Sequence, residues 1–167
     1  MSGDPERGLP WLTQPYRAFG DRLGTVLFRV PAGVKRDDAR LAALLGAWPR
    51  DVPLTIEFQE PGWHVDETFR ALETIGASVC ATDLPDDPEP PPLRRTAPFL
   101  YLRLRRHDYT PGDIDAWAAR LRPFLDAGDD AYVFFRHDDV GRGAELALAL
   151  QRAVSDVSPP QARTRPG

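Results

Sequence analysis

Short apolar runs alternate with amphipathic segments along most of the chain. The runs are rich in β-branched and aromatic residues and predict five strands, at 25–30, 54–58, 78–82, 99–104 and 131–135. Segments with helical spacing follow most of these runs, which is typical of βα units and of a mainly parallel sheet. The pattern therefore predicts an α/β fold, and periodicity alone leaves open whether the sheet is doubly wound or part of a barrel.

Local signals predict where the helices begin and end. The first two helices place apolar residues on one face: Leu41, Leu44, Leu45 and Trp48 in one, Phe69, Leu72 and Ile75 in the other, with Asp66 as N-cap and Gly76 as stop. Thr110 is expected to cap a third helix that starts at Pro111 with Asp113 in its first turn. Pro123 predicts a kink or an early stop in that helix.

The chain ends and the proline-rich stretch are expected to be irregular. Residues 1–9 and the tail 155–167 have the composition of disordered segments, while 11–23 predicts a short helix leading into the first strand. Six prolines between Pro85 and Pro98 predict a long connection in place of a helix. We therefore divide the chain into a polar N-terminal segment with a short helix (1–22), a folded domain (23–154) and a disordered tail (155–167).

Composition narrows the class of protein. With 42% hydrophobic and 28% charged residues among 167, the chain has enough apolar material for one core. No apolar run is long enough to cross a membrane, and a net charge of -4 argues against a nucleic-acid partner. A single cysteine excludes an internal disulfide and a cysteine-cluster zinc site. These features predict a cytoplasmic globular protein.

The segment from Leu23 to about Val154 resembles the YecE-like family, catalogued as domain of unknown function 72. The resemblance is carried by residues in each predicted strand: Leu23 to Phe28 with Pro31, Glu57-Phe58 with Trp63, Tyr101 to Leu104 with Tyr109 and Trp117, and Phe134-Phe135 with His137 and Gly141 to Gly143. The family has a TIM-barrel fold. The resemblance therefore implies a partial TIM (β/α)-barrel whose five parallel strands match barrel strands four to eight, the C-terminal part of the family's fold.

Charged residues within and after the apolar strands are candidates for a site. In a (β/α)-barrel the active site lies at the C-terminal ends of the strands. Glu57 and Arg103 can face each other inside the barrel, either as a structural ion pair or as a catalytic acid or base beside an anion-binding arginine. Asp83 ends the third strand, where it is either a turn residue or a second catalytic carboxylate or divalent-metal ligand. The spacing of these residues and of Asp138 and Asp139 matches no defined metal motif.

The loops after the last two strands carry a possible phosphate cradle. Its candidate ligand-binding residues are Arg105, Arg106, Arg136, His137, Gly141 and Gly143. Arginines would supply charge, and the glycines would expose backbone N–H groups to a phosphate or carboxylate. An arginine-rich turn is also commonly a solvated surface, so the alternative stays open.

Two hypotheses for function follow. In the first, the protein binds a small anionic or phosphorylated metabolite at the C-terminal ends of the strands; the sequence leaves open both the identity of any cofactor and whether the ligand is turned over. In the second, the chain is a non-catalytic, truncated or split family member that self-associates or pairs with an N-terminal half-barrel.

Overall fold

The structure is a computed structural model that describes residues 5–136 and 140–155. Its centre is a five-stranded sheet with the order β1-β2-β3-β4-β5, in which all neighbouring strands are parallel. The strands are β1 (Val26–Val30), β2 (Leu54–Phe58), β3 (Ser78–Asp83), β4 (Phe99–Leu104) and β5 (Asp130–Phe135). The predicted strands and their parallel arrangement are confirmed, with shifts of one residue at three of their ends.

Among the described residues, three helices connect neighbouring strands, one helix precedes β1 and one follows β5. In chain order they are α1 (Pro5–Thr13), α2 (Asp38–Ala47), α3 (Asp66–Glu73), α4 (Pro111–Asp126) and α5 (Arg142–Ser155), with 3-10 segments at Gln14–Arg22 and Pro61–Trp63. Between β3 and β4 the chain runs through residues 84–98 without a helix, as the prolines predict. We call this segment the proline-rich connection.

The two faces of the sheet have different characters because side chains alternate along each strand. The outer face carries apolar residues such as Ile56, Leu102 and Leu104, which are fully buried beneath the helices. The inner face carries polar and aromatic residues: Arg29, Glu57, Thr82, Tyr101, Arg103, Tyr132 and Phe134. The inner face is therefore where chemistry can take place.

The sheet is strongly curved. Adjacent strands lie about 4.8 Å apart, so β1 and β5 would be separated by roughly 19 Å in a flat sheet. Yet a Cβ atom on Gly24, two residues before the start of β1, would lie 3.0 Å from the ring of Tyr132 on β5. Tyr132 thus spans the inner space and approaches the opposite edge of the sheet. Strands that meet in this way across an interior are those of a (β/α)-barrel, and the fold is part of such a barrel.

A seam divides the sheet between β2 and β3. These two strands are in register only at two positions, Thr55 with Ser78 and Ile56 with Val79, whereas β3 and β4 are paired over four. The hydrophobic core is divided in the same way, into one cluster around β1, β2, α2 and α3 and another around β4, β5, α4 and α5. The carboxyl ends of β2 and β3 therefore diverge.

Three sequence-based expectations for the helices need correction or find support in the structure. Residues 1–9 were expected to be irregular, but helix α1 begins at Pro5. The helix forms because Leu9 is buried in the first core cluster. Val65 rather than Asp66 is the N-cap of α3, and Asp66 occupies the first helical position. Thr110 does cap α4, with a reciprocal pair of bonds between Thr110 and Asp113. The predicted tail beyond Ser155 lies outside the described residues.

Pro123 does not end α4, so the early stop, one of the two outcomes that the sequence predicts, does not occur. The helix continues to Asp126. Proline removes one backbone donor from the helix, but Leu121 is buried before it and Leu125 packs against the same core cluster after it. Packing of this apolar face outweighs the local cost of the proline.

Replacing Pro123 should therefore stabilise the protein. Proline destabilises a helix interior by about 3 kcal/mol relative to alanine. The substitution also makes the unfolded chain more flexible, which lowers the free energy of unfolding by up to about 1 kcal/mol. We expect Pro123→Ala to raise the free energy of unfolding by about 2 kcal/mol in urea titrations. Pro111→Ala is the matched control, because Pro111 occupies the first turn of the same helix, where proline is tolerated. An equal gain in both variants would contradict this account.

Candidate functional site

A buried carboxylate lies at the centre of the inner face. Glu57 is 4% exposed, and its two oxygens accept hydrogen bonds from side chains of three other strands. Arg29 Nε donates at 2.6 Å, Arg103 Nη1 at 2.8 and 2.7 Å, and the Thr82 hydroxyl at 3.0 Å. The ion pair between Glu57 and Arg103 that the strand pattern suggests is thus present, and Arg29 joins it.

Strand register explains why these side chains meet. Arg29 is paired with Glu57 across β1 and β2, and Thr82 with Arg103 across β3 and β4. All four side chains therefore lie on the inner face near the carboxyl ends of their strands. The curvature of the sheet brings the guanidinium groups of β1 and β4 to the same carboxylate.

The chemistry of this cluster is that of a counter-ion that orients two cations. Each contact made by Glu57 is with a donor, and two of the donors are guanidinium groups. Two positive charges around one negative charge leave the cluster with an excess of one positive charge. Arg103 is 22% exposed and Arg29 is 49% exposed, so both can also be reached from the inner space. Such a surface attracts anions.

A cavity of about 490 Å³ opens beside this cluster. It lies where β2 and β3 diverge, and Glu57 and Thr82 form part of its wall together with Phe58 and Cys80. Loops complete it: residues Gln59 to His64 after β2, the proline-rich connection after β3, and Arg105 after β4. The volume is in the range of small-molecule sites, which are mostly apolar with a few polar groups.

Two arginines line this cavity without an acidic partner. Within the described ranges 5–136 and 140–155, no carboxylate forms an ion pair with Arg94 or Arg105. Arg94 lies over the ring of Phe69, 5.3 Å from its centroid. Asp87 also lines the cavity and accepts a bond from the Leu84 amide. Arg105, which is half-buried, is the predicted ligand residue that the structure places in this cavity.

Asp83 does not join Glu57, contrary to one sequence-based interpretation. Thr82 points to the inner face, so Asp83 points to the opposite face. There it is fully buried, held by Arg106 Nε at 3.0 Å and by the Tyr109 hydroxyl at 2.9 Å. Burial, and then the bond to Asp83, raises the pKa of Tyr109. This arrangement fixes the loop after β4 to the end of β3.

The residues of the predicted phosphate cradle are dispersed or paired. Arg106 is bound to Asp83, and Arg136 contacts the His107 ring at 2.8 Å. Gly141 has a φ of 83° and its carbonyl accepts bonds from the first turn of α5, in which Gly143 lies. Arg142 between them contacts Asp108 and Glu145. His137, Asp138 and Asp139 lie outside the described residues.

Three residues of the site were not identified from the sequence. Arg29 interrupts the apolar run of β1 in the same way as Glu57 interrupts β2, and that shared feature was the available signal. His64 lines the cavity, and its Nε2 lies 3.0 Å from the Phe58 carbonyl oxygen. Arg94 lies in the proline-rich connection, where no periodicity predicts its direction.

The cavity offers neither a reactive thiol nor a metal site among the groups described. Cys80 is buried, and desolvation raises the pKa of its thiol to about 12. Within the described part of the chain, no group of three or more His, Cys, Asp or Glu side chains could hold a metal ion. No helix among the described residues is long and apolar enough to cross a membrane.

The contacts of Glu57 predict energetic coupling with Arg103. Glu57→Gln leaves two guanidinium groups without their shared counter-ion, and Arg103→Met removes one of the two cations that neutralise the buried carboxylate, so we expect each substitution to lower the free energy of unfolding, Glu57→Gln by up to about 3 kcal/mol. Arg103→Met should cost less because Arg29 still neutralises Glu57. The double variant should lose less than the sum of the single losses, as measured by urea unfolding in a double-mutant cycle. Strict additivity would show that the two side chains are not coupled.

Comparison with solved structures identifies the same fold. A crystal structure of a DUF72 family protein from Enterococcus faecalis has 20% identity and a TM-score of 0.72, covering 87% of this chain and 66% of that chain. A second crystal structure of the same Enterococcus faecalis protein has 17% identity and a TM-score of 0.75, covering 93% of this chain and 67% of that chain. A DUF72 family protein from Thermotoga maritima has 21% identity and a TM-score of 0.68, covering 92% and 66%. At these identities the likeness concerns the fold.

The family assignment rests on the sequence. No curated protein matches the chain. The chain spans 66% of the length of two of the solved structures described above, slightly less than two thirds. The family described as "Protein of unknown function DUF72" matches residues 6–166, in agreement with the resemblance to the YecE-like family. Since this match covers nearly the whole sequence, the chain belongs to the DUF72 family.

Proposed function

We propose that the protein binds a small anionic ligand, through a phosphate or carboxylate group, in the cavity at the carboxyl ends of β2, β3 and β4. The observation that carries this proposal is Arg105, a half-buried guanidinium group on the cavity wall that no described carboxylate neutralises. An arginine in a partly desolvated pocket is well suited to bind a planar or tetrahedral anion by paired N–H donors.

The charges around the cavity support an anionic rather than a cationic ligand. Two arginines, Arg94 and Arg105, line the cavity, whereas Asp87 is the one acidic residue on its wall that forms no ion pair with another described residue. The cluster behind the wall adds a further positive charge, because Glu57 is bound by both Arg29 and Arg103. A cleft with one sign of charge concentrates ligands of the opposite sign.

The turn before α5 is the other candidate position for an anion. Gly141 and Gly143 lie at the start of a 14-residue helix, whose N-terminal end favours negative charge. However, Arg142 already contacts Asp108 and Glu145 at 3.0 and 3.2 Å. The carboxylates there would repel a second anion, so we place the ligand in the cavity.

Binding of inorganic phosphate distinguishes these two places. A ligand that binds only the folded state stabilises it in proportion to its occupancy, so we expect the melting temperature to rise with phosphate concentration. Arg105→Ala should abolish most of this rise, whereas Arg142→Ala should leave it intact. Arg40→Ala is the matched control, since Arg40 is an exposed arginine on α2 that is paired with Asp37.

Each other result has a definite meaning. Loss of the phosphate effect in Arg142→Ala alone would move the site to the turn before α5. An equal loss in all three variants would indicate non-specific screening of charge. No rise in the melting temperature of the unsubstituted protein, at any phosphate concentration up to tens of millimolar, would contradict the proposed function.

A second candidate function is association with another polypeptide. Strands β1 and β5 each pair with one neighbour and form the two edges of the described sheet. Phe134, on the inner face of β5, is 49% exposed. Unpaired edges beside apolar side chains are templates for further strands. Strands added to both edges would continue the barrel, so the partner we propose is a polypeptide with further βα units.

Light scattering after size-exclusion chromatography tests this association. We expect the isolated chain to self-associate, because a few hundred Å² of exposed apolar surface represents several kcal/mol at about 25 cal/mol per Å². Arg152→Ala, an exposed substitution on α5 outside both edge strands, should leave the apparent mass unchanged. Phe134→Lys on the edge strand should shift it toward the monomer. A monodisperse monomer that unfolds cooperatively would show that the edges need no partner.

A further inference from the structure

We infer that the ligand of the cavity is an organic anion with an apolar body about the size of a ring, such as a phosphate monoester or carboxylate of an aromatic or branched group, rather than inorganic phosphate. This inference rests on the proposed function and specifies the class of ligand. Its basis is the volume of the cavity and the apolar residues that line it together with Arg105.

The volume of the cavity is too large for an inorganic anion alone. At about 490 Å³, the cavity lies in the range of sites for small organic molecules, roughly 300–1,000 Å³. Inorganic phosphate has five heavy atoms and would fill only part of this space. A ring with an attached phosphate would displace most of the water from the apolar part of the wall, which is favourable.

The wall of the cavity combines apolar and cationic side chains, the two kinds of contact that such a molecule needs. Phe58, Phe69 and Leu84 present apolar surface, whereas Arg105 contributes charge from the end of β4. Arg94 adds a second guanidinium group, which lies over the Phe69 ring and so covers an aromatic wall with a cation. This combination of an apolar surface with a few polar groups is characteristic of sites for organic ligands.

His64 adds a directional polar group at the same cavity. Its Nε2 lies 3.0 Å from the Phe58 carbonyl oxygen, an atom that can only accept, so Nε2 carries the proton in this contact. The neutral ring then has its lone pair on Nδ1, which can accept a hydrogen bond. A hydroxyl or amine group on an organic ligand would satisfy this acceptor.

The test compares two probes by isothermal titration calorimetry with the full chain. We expect phenyl phosphate to bind at least about tenfold more tightly than inorganic phosphate, because even small apolar groups change affinity by this factor in a fitting pocket. Leu84→Ser should reduce the preference for phenyl phosphate severalfold while leaving the affinity for inorganic phosphate unchanged. Leu84 is 43% exposed, so this substitution should preserve the fold. Leu148→Ser is the control, since Leu148 is a comparably exposed leucine, at 53%, on α5.

The outcomes separate this inference from the proposed function. Equal affinity for the two probes, with both dependent on Arg105, would overturn the organic ligand and retain the anion site. A preference for phenyl phosphate that falls equally in Leu84→Ser and Leu148→Ser would place the ring outside the cavity and also overturn the inference. Binding of neither probe would overturn both proposals.

Discussion

The structure depends on neutralising one buried negative charge. A carboxylate as buried as that of Glu57 is unstable in a protein interior unless donors surround it, and the donors come from β1, β3 and β4. These strands can reach Glu57 together only if the sheet is curved. The same contacts bridge the seam between β2 and β3, where the backbone offers little pairing. Electrostatics on the inner face therefore complements the apolar packing on the outer face, and the excess of positive charge that results is what makes this face suited to anions.

The fold could be predicted largely from the sequence, for identifiable physical reasons. Apolar runs such as 54–58 and 99–104 are buried on at least one face, so period and composition mark them clearly. The capping residues of α4 act locally and are visible as a short motif. Pro123 and α1 show the limit of this approach. In both cases tertiary packing, of Leu121 and Leu125 or of Leu9, overrides a local signal.

The site was less predictable because its residues are brought together by curvature and by irregular segments. Glu57 and Arg103 stood out as charges in apolar strands, but the pairing of Arg29 with Glu57 depends on the register of β1 and β2. The direction of Asp83 depends on which residues of β3 face inward. Both faces of that strand carry small residues, so its sequence does not show which face is the inner one. Arg94 and His64 lie in loops, where no periodicity predicts orientation. Strand order and register were therefore needed before the cavity could be recognised.

The seam between β2 and β3 has a consequence for motion. In native proteins, the boundary between two cooperative units usually lies between core clusters that share few backbone hydrogen bonds. The cavity lies on this boundary, so a small rotation of one cluster against the other would change its width while each cluster kept its own packing. Two side-chain contacts limit that rotation. Arg103 donates to Glu57 on the inner face, and the Val79 amide donates to the hydroxyl of Thr96 in the proline-rich connection. A molecule bound between the clusters would contact both units and act as an additional tie, so that occupancy of the cavity and rigidity of the sheet would rise together.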